Sequence, residues 1–338
     1  MDQVPGHFGS KSSSAGARAA SPHDAVRNLG KLRSSMDNEP VEIIQTIRRM
    51  RGNSQAHLVE GSDGHFYVAK FMGNPQGTRT LINEWFAHQL FRQLGISTPS
   101  LRVLRLPQAV QASSENFVFQ CGNTRVAVEP GLHLGSQCPV NPTQAAIFDF
   151  LPRPVLCQVI NRNDFAKALV LDLFLAQADT RQAIFVREES GKVASKLRAY
   201  LIDNGWTLGG NAWNFHGGSP QGFYWDRAIY STFDLHMECE SALNLITAIT
   251  KEDLFRLGES IPHVWFSKGD LTDWARLLDL LSARKNQMPQ LWFDHLKTLH
   301  RSQPGNCGRA ISKEKAADGD PTAVEPQRPS LALLPTLC

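Results

Sequence analysis

Residues 57–71 read HLVEGSDGHFYVAKF, and this stretch decides how the front of the chain folds. Two apolar, β-branched runs flank Ser62-Asp63-Gly64, and Asp-Gly between such runs is a strong short-range hairpin signal. The pattern predicts two antiparallel strands, with Lys70 on the second of them, six residues past Gly64. A lysine held on a sheet beneath a turn is the geometry of a polyphosphate clamp. The ammonium neutralises charge, while turn N–H groups of Gly61, Ser62 and Gly64 bind phosphate oxygens. Taken from this segment alone, a strand lysine that simply faces solvent fits as well.

Downstream, a loop GNPQGT leads into residues 80–94. There Leu81, Trp85, Leu90, Phe91 and Leu94 fall near helical spacing, and Gly95 stops the run. Glu84 lies on this helix and either pairs with Lys70, as a helix carboxylate holds the sheet lysine in protein kinases, or stands exposed. LRVLRL, NFVFQC and TRVAVE predict short strands that complete a small sheet before Pro130. From about residue 163 the character turns helical. Asn163 or Asp164 is placed to cap FAKALVLDLFLAQA, an apolar run interrupted by Lys167 and Asp172 and too short to cross a bilayer, and KEDLFRLGES and LTDWARLLDLLSARKN follow as later helices.

Two carboxylates sit where chain elements change. Asp179 lies in a polar turn, Asp179-Thr180-Arg181-Gln182, between the apolar helix and a strand-like segment, and Asp203 ends the strand RAYLID. A hairpin through KVASK brings both to one end of a two-stranded ribbon, and hard divalent cations favour such oxygen ligands. The 11 histidines form no H-E-x-x-H or other paired-ligand spacing, which argues against a metal-dependent hydrolase.

The segments HLVEGSDGHFYVAKF, GTRTLINEW, GLHLGS, ADTRQAIF and YLIDNGWTL, in this order over about residues 56–235, resemble the bacterial HipA-like kinases, relatives of a serine/threonine kinase toxin of persistence modules. The resemblance implies an α+β, two-lobed protein-kinase-like fold with a small β-rich N-lobe and a mostly helical C-lobe. On this reading residues 1–38 are a flexible tail, 39–152 the N-lobe, 153–302 the C-lobe with its catalytic loop, and 303–338 a second flexible tail. It implies a kinase that uses ATP and Mg²⁺ to phosphorylate a hydroxyl, most naturally Ser or Thr of a protein, and it admits an antitoxin-like partner. Asp179 matches the catalytic aspartate that orients or deprotonates the acceptor. Asp203 matches the metal aspartate, and Lys70 the phosphate-binding lysine. One departure stands out: the metal-binding Asn expected five residues after the catalytic Asp is here Ile184, which cannot ligate Mg²⁺. Gln182 is the nearest polar substitute. The alternative is a catalytically weak or inactive pseudokinase that binds nucleotide or protein.

Both 128–136 and 147–152 fit an adenine-binding connector between lobes, with His133, Ser136 and Asp149 either lining a pocket or serving loop structure. The aromatic-rich run NAWNFHGGSPQGFYWDRAIY reads as an activation-segment equivalent or as a packing loop. With 42% hydrophobic residues and a net charge of +3, the chain has material for a large core and nothing that demands nucleic acid or an anionic membrane. Arg48, Arg49 and Arg51 read as a solvated helix end. Six scattered cysteines without a C-x-x-C pair, and a start lacking a signal-peptide pattern, fit reduced thiols and a cytoplasmic setting.

Overall fold

The computed structural model describes residues 39–188, 196–215, 222–231 and 235–301. Both predicted tails, most of the KVASK connection and the centre of the aromatic-rich run lie outside the described residues.

The elements follow in the order β1 (Val41–Arg49), β2 (His57–Gly61), β3 (Phe66–Lys70), α1 (Arg79–Gln93), β4 (Leu101–Leu106), α2 (Gln108–Ala112), β5 (Val118–Cys121), β6 (Thr124–Ala127), β7 (Gly131–Gln137) and β8 (Ile147–Phe148). The helical half continues with α3 (Arg153–Leu156), α4 (Asn163–Leu175), β9 (Gln182–Glu188), β10 (Lys196–Ile202), α5 (Leu235–Ala248), α6 (Lys251–Glu259), α7 (Asp270–Lys285) and α8 (Met288–Arg301). The protein is thus α+β, sheet-rich first and helical later, with the architecture of a protein-kinase-like fold.

The predicted hairpin forms: β2 and β3 pair antiparallel, with Leu58 opposite Val68, and Gly64 turns the chain at φ 75°, a conformation open to glycine without steric cost. The sheet differs from the sequence expectation. It closes as a barrel in the order β1-β2-β3-β7-β4, so the chain returns after Pro130 to insert β7 between β3 and β4. β5 and β6 form a separate two-stranded ribbon instead of completing the sheet. β7 is GLHLGSQ, whose two glycines and histidine mask the apolar alternation by which a strand is read. The 128–136 candidate for the connector is therefore largely a central barrel strand, and 147–152 contributes β8, which pairs with β9. Arg48 and Arg49 lie exposed on strand β1, not at a helix end.

Period-two alternation sends Tyr67, Ala69 and Phe71 into the barrel, where they pack with Val41, Ile43, Val59, Leu104, Phe117 and Val128. Lys70 is left on the outer face. α1 covers that side, and its apolar residues Leu81, Phe86, Leu90 and Phe91 belong to the same core as α4 and the later helices. Two polar ties fasten α1 to the helical half: Arg79 forms an ion pair with Asp270 at 2.6 Å, and Trp85 Nε1 donates to Ser260 Oγ at 3.1 Å.

α4 is buried on nearly every face, as its composition predicts, and its last turn ends at Ala176 in a left-handed conformation. Neither Asn163 nor Asp164 caps it. Both lie inside its first turn, where the Asp164 carboxylate accepts from Ser97 N and Asn161 Nδ2 instead. By contrast α6 starts with a full capping box, Thr250 Oγ1 accepting from Asp253 N and Asp253 Oδ2 from Thr250 N, both at 3.0 Å. Thr250→Ala removes one half of that exchange and is expected to cost about 1 kcal/mol, read as a lower denaturant midpoint at unchanged slope. Among the described residues no helix is long and apolar enough to cross a membrane. Cys121, Cys138, Cys157 and Cys239 are all free thiols.

Candidate active site

Lys70 comes from β3, Glu84 from the middle of α1, and Asp203 from the residue after β10; the fold brings the three together. Lys70 Nζ lies 3.0 Å from Glu84 Oε2 and 2.9 Å from Asp203 Oδ1. The Glu84 carboxylate is 8% exposed and also accepts from Asn204 N at 2.9 Å, so one oxygen fixes both the lysine and the chain beyond Asp203. Burial alone favours the uncharged amine of Lys70, but the Asp203 and Glu84 carboxylates outweigh it and raise its pKa above the ordinary lysine value. The Lys70 ammonium, with a smaller contribution from hydrogen bonds, holds the Asp203 carboxyl below the usual carboxylate range despite burial.

Asp203 has φ 63°, a left-handed conformation that costs an L-residue energy and is tolerated by Asp more readily than by most side chains. The surroundings hold it there. Its carbonyl accepts from Gln177 Nε2 at 3.2 Å, and its second carboxylate oxygen accepts from Gln182 Nε2 at 3.1 Å. Asn83, next to Glu84 and fully buried, donates through Nδ2 to the carbonyls of Gly205, Thr207 and Gly210 and accepts from Trp213 Nε1. Consecutive side chains of α1 thus grip the whole turn that follows Asp203.

Asp179 stands apart from this network. It is half-buried in the turn between α4 and β9, and its Oδ1 accepts from Thr180 N at 2.7 Å. β9 and β10 pair with Gln182 opposite Ile202, which sets the Asp179 turn beside the Asp203 turn at one end of the ribbon. Gln182 joins the Asp203 side of the cluster. Ile184 lies opposite Tyr200 within the ribbon, as the third residue of β9.

The turn at Gly61, Ser62 and Gly64 does not offer the N–H groups expected of it. Gly61 N donates to His65 O, Ser62 N to Glu42 O, Gly64 N to Gly61 O and His65 N to Asp63 Oδ1. Each donor is already spent on closing the hairpin or tying it to β1, and the Asp63 carboxylate at the same turn repels phosphate. In this structure these N–H groups are therefore engaged within the protein. His133 is likewise structural. It is buried, its Nδ1 accepts from Met72 N at 3.1 Å, and its Nε2 meets Glu129 O at 3.1 Å. Asp149 is exposed beyond β8.

Sequence reasoning missed Arg181 and Asp172. Their side chains form a fully buried ion pair between the Asp179 turn and α4. The signal was present in Asp172, an acidic residue inside an otherwise apolar helix, since a charge so placed requires a partner. A cavity of about 250 Å³ lined by Trp85, Val103, Leu132, Ser260 and Pro262 lies on another part of the surface and contains none of the candidate site residues.

A sheet lysine paired to a helix glutamate, with an aspartate at the end of a later ribbon and a second aspartate in the turn before that ribbon, is the layout in which protein kinases carry their phosphate-binding lysine, metal aspartate and catalytic aspartate. Residues 41–125, from β1 through β6, match the family model for HipA-like kinases. No curated protein matches the sequence. Among solved structures it is similar to a Helicobacter pylori proinflammatory kinase, CtkA, at 14% identity and a TM-score of 0.48, over 75% of this chain and 98% of that one. It is also similar to the Golgi casein kinase with Mn and ADP bound, at 14% identity and a TM-score of 0.36, over 80% of this chain and 77% of that one.

Proposed function

We propose that the protein is an ATP- and Mg²⁺-dependent kinase that transfers the γ-phosphate to a hydroxyl, with Ser or Thr of a protein as acceptor. The observation that carries this reading is the preformed Lys70–Glu84–Asp203 cluster. One ammonium between two carboxylates leaves a net negative charge, suited to a divalent cation that arrives with a polyphosphate.

The donor set fits such an ion. Asp203 supplies a carboxylate kept ionised by Lys70, and Gln182 supplies an amide that already touches it. Turning that amide presents its carbonyl oxygen beside Asp203 Oδ2, so Gln182 replaces the Asn whose place Ile184 takes. Among the described residues no three His, Cys, Asp or Glu side chains cluster as an all-protein metal cage. Mg²⁺ in kinases needs no such cage, because it keeps waters and takes phosphate oxygens alongside one or two carboxylates. The bound ion would offset charge on the β- and γ-phosphates.

Lys70 binds phosphate oxygens, Glu84 holds Lys70 at the sheet, and Asp179 orients the acceptor hydroxyl or takes its proton. Asp179 suits that task because its carboxylate is half-exposed and outside the ion-pair network. Gly61, Ser62 and Gly64 enter only as a steric cover over the phosphates.

A pseudokinase that binds nucleotide without turnover is the second reading, favoured by Ile184. Incubation with γ-labelled ATP and Mg²⁺, alone and with cell extract, separates the two. Label on hydroxyl amino acids supports the kinase. Thermal stabilisation by ATP with Mg²⁺ without any labelling supports the binding module, and absence of stabilisation counts against both.

A further inference from the structure

Arg181 has a guanidinium with no accessible side-chain surface, and the residue's contacts reach four separate pieces of chain, three through hydrogen bonds and one through a ring. Nε donates to Asp172 Oδ2 at 3.0 Å and Nη2 to Asp172 Oδ1, a two-pronged grip on α4. Nη1 donates to Ile202 O at 2.9 Å and to Asn204 Oδ1 at 2.8 Å, the residues on either side of Asp203. The backbone N of Arg181 donates to Phe223 O at 3.1 Å, and the guanidinium lies 5.0 Å from the Phe91 ring of α1. The approach of residue 222 to this pair is close enough to demand glycine, since a Cβ on Gly222 would meet the Asp172 carboxylate at 2.7 Å.

A buried ion pair is a poor device for stability. The desolvation of two charges offsets most of their attraction, and apolar residues of similar volume are often as stable or more so. What the pair supplies here is direction. A planar fork reaching a carboxylate on one side and a carbonyl and an amide on the other fixes the distance between α4 and the turn at 202–204. Because Arg181 is itself part of the 179–182 turn, the same side chain fixes Asp179 and Gln182 relative to Asp203.

We infer that Arg181 is a positioning residue: anchored on Asp172, it holds Asp203 and the 179–182 turn in the register that a metal-bound nucleotide requires. The inference rests on the kinase reading and deepens it. Arg181 touches neither nucleotide nor metal. Its loss acts through the placement of Asp203 and Gln182, and so falls on the metal-dependent part of nucleotide binding.

The test uses the full chain as wild type, Arg181→Lys and the double variant Asp172→Leu/Arg181→Met, which replaces the pair by apolar side chains. Nucleotide affinity is measured by calorimetry with ADP in chelator and with ATP across a Mg²⁺ titration, beside the melting temperature of each protein. The expected result is a folded double variant with melting temperature close to wild type and ADP affinity in chelator within about twofold, but with the half-saturating Mg²⁺ concentration raised about tenfold or more. Arg181→Lys keeps the charge without the fork and shows the same displacement. An unchanged Mg²⁺ requirement in a folded double variant overturns the inference and leaves the pair with a purely structural role. Where the double variant does not fold, Arg181→Lys decides by the same criterion. Absence of Mg²⁺-dependent binding in the wild type overturns the kinase reading itself, and this inference with it.

Discussion

Asp203→Asn is expected to lower phosphotransfer at least about 10²-fold and to raise the Mg²⁺ requirement for nucleotide binding, with the fold intact. The substitution preserves shape, and the Asn oxygen can still accept from Lys70, which lies 2.9 Å from Asp203 Oδ1. What it removes is one negative charge, taking the Lys70–Glu84–Asp203 cluster from net negative to neutral. At an effective dielectric near 20, unit charges about 4 Å apart attract by about 4 kcal/mol, and the ion carries two. With half of that offset by solvent, the loss remains about 4 kcal/mol, on the order of 10³ in rate or affinity. The new Nδ2 also faces the Gln182 amide, donor against donor, unless the Gln182 side chain turns. Asp179→Asn serves as the contrast. Asp179 is outside the ion-pair network, so that variant keeps ATP–Mg²⁺ affinity near wild type and loses transfer. Single-turnover transfer of labelled γ-phosphate and a Mg²⁺ titration by calorimetry read both effects. Transfer at the wild-type rate by Asp203→Asn would sink the assignment of Asp203 to the metal.

Much of this arrangement was legible from residue patterns. The hairpin, α1, α4 and the ribbon ending at Asp203 each carry a local signature: Asp-Gly between β-branched runs, helical spacing stopped by glycine, a long apolar run, and alternation ending in Asp-Asn-Gly. The Lys70–Glu84 contact was readable as one of two options because it needs only the first hairpin and the next helix. Non-local features were not readable. Insertion of β7 between β3 and β4 depends on pairing across more than sixty residues, Lys70 opposite Leu134, and its sequence GLHLGSQ hides the alternation. The engagement of the Ser62 N–H depends on β1, which enters through Glu42. Arg181 looked like one polar residue of a turn. Its role follows from Asp172, nine residues earlier, and from carbonyls more than twenty residues later. Local propensity reports what a segment can form, while tertiary pairing decides which polar groups remain free for a ligand.

Stability is expected to fall steeply as pH drops from about 6.5 toward 4, ahead of any titration of Asp203. Two buried histidines contribute most, while burial also lowers the pKa of His57 and His295. His88 on α1 contacts Pro99 O through Nε2 at 2.7 Å, and burial pushes its pKa down to about 4. His133 on β7 is also pushed by burial to about 4, and both its nitrogens are satisfied in the neutral form, Nδ1 by the Met72 N–H and Nε2 by Glu129 O. A proton on Nδ1 of His133 would set donor against donor. In the unfolded chain both rings titrate near 6.5, so below that pH the unfolded state binds protons that the native state refuses. The stability held at neutral pH is lost progressively as pH falls toward the native value, about 3 kcal/mol for each ring by pH 4. Together the two approach the whole folding free energy of an ordinary domain. Asp203 behaves differently: its native pKa lies below the ordinary carboxylate value, so the stability contributed by its pair with Lys70 is lost only at lower pH still. The acid limb therefore begins in the supports of the site, α1 and β7 beside β3, while the Asp203 carboxylate remains ionised. Denaturant unfolding between pH 7 and 5 should show a slope near pH 5 of roughly 2.5 kcal/mol per pH unit, the signature of nearly two protons taken up on unfolding. His88→Gln and His133→Gln should each remove about one proton from that slope, whatever their effect at neutral pH. A stability that stays flat from pH 7 to 5 would contradict the neutral burial of both rings.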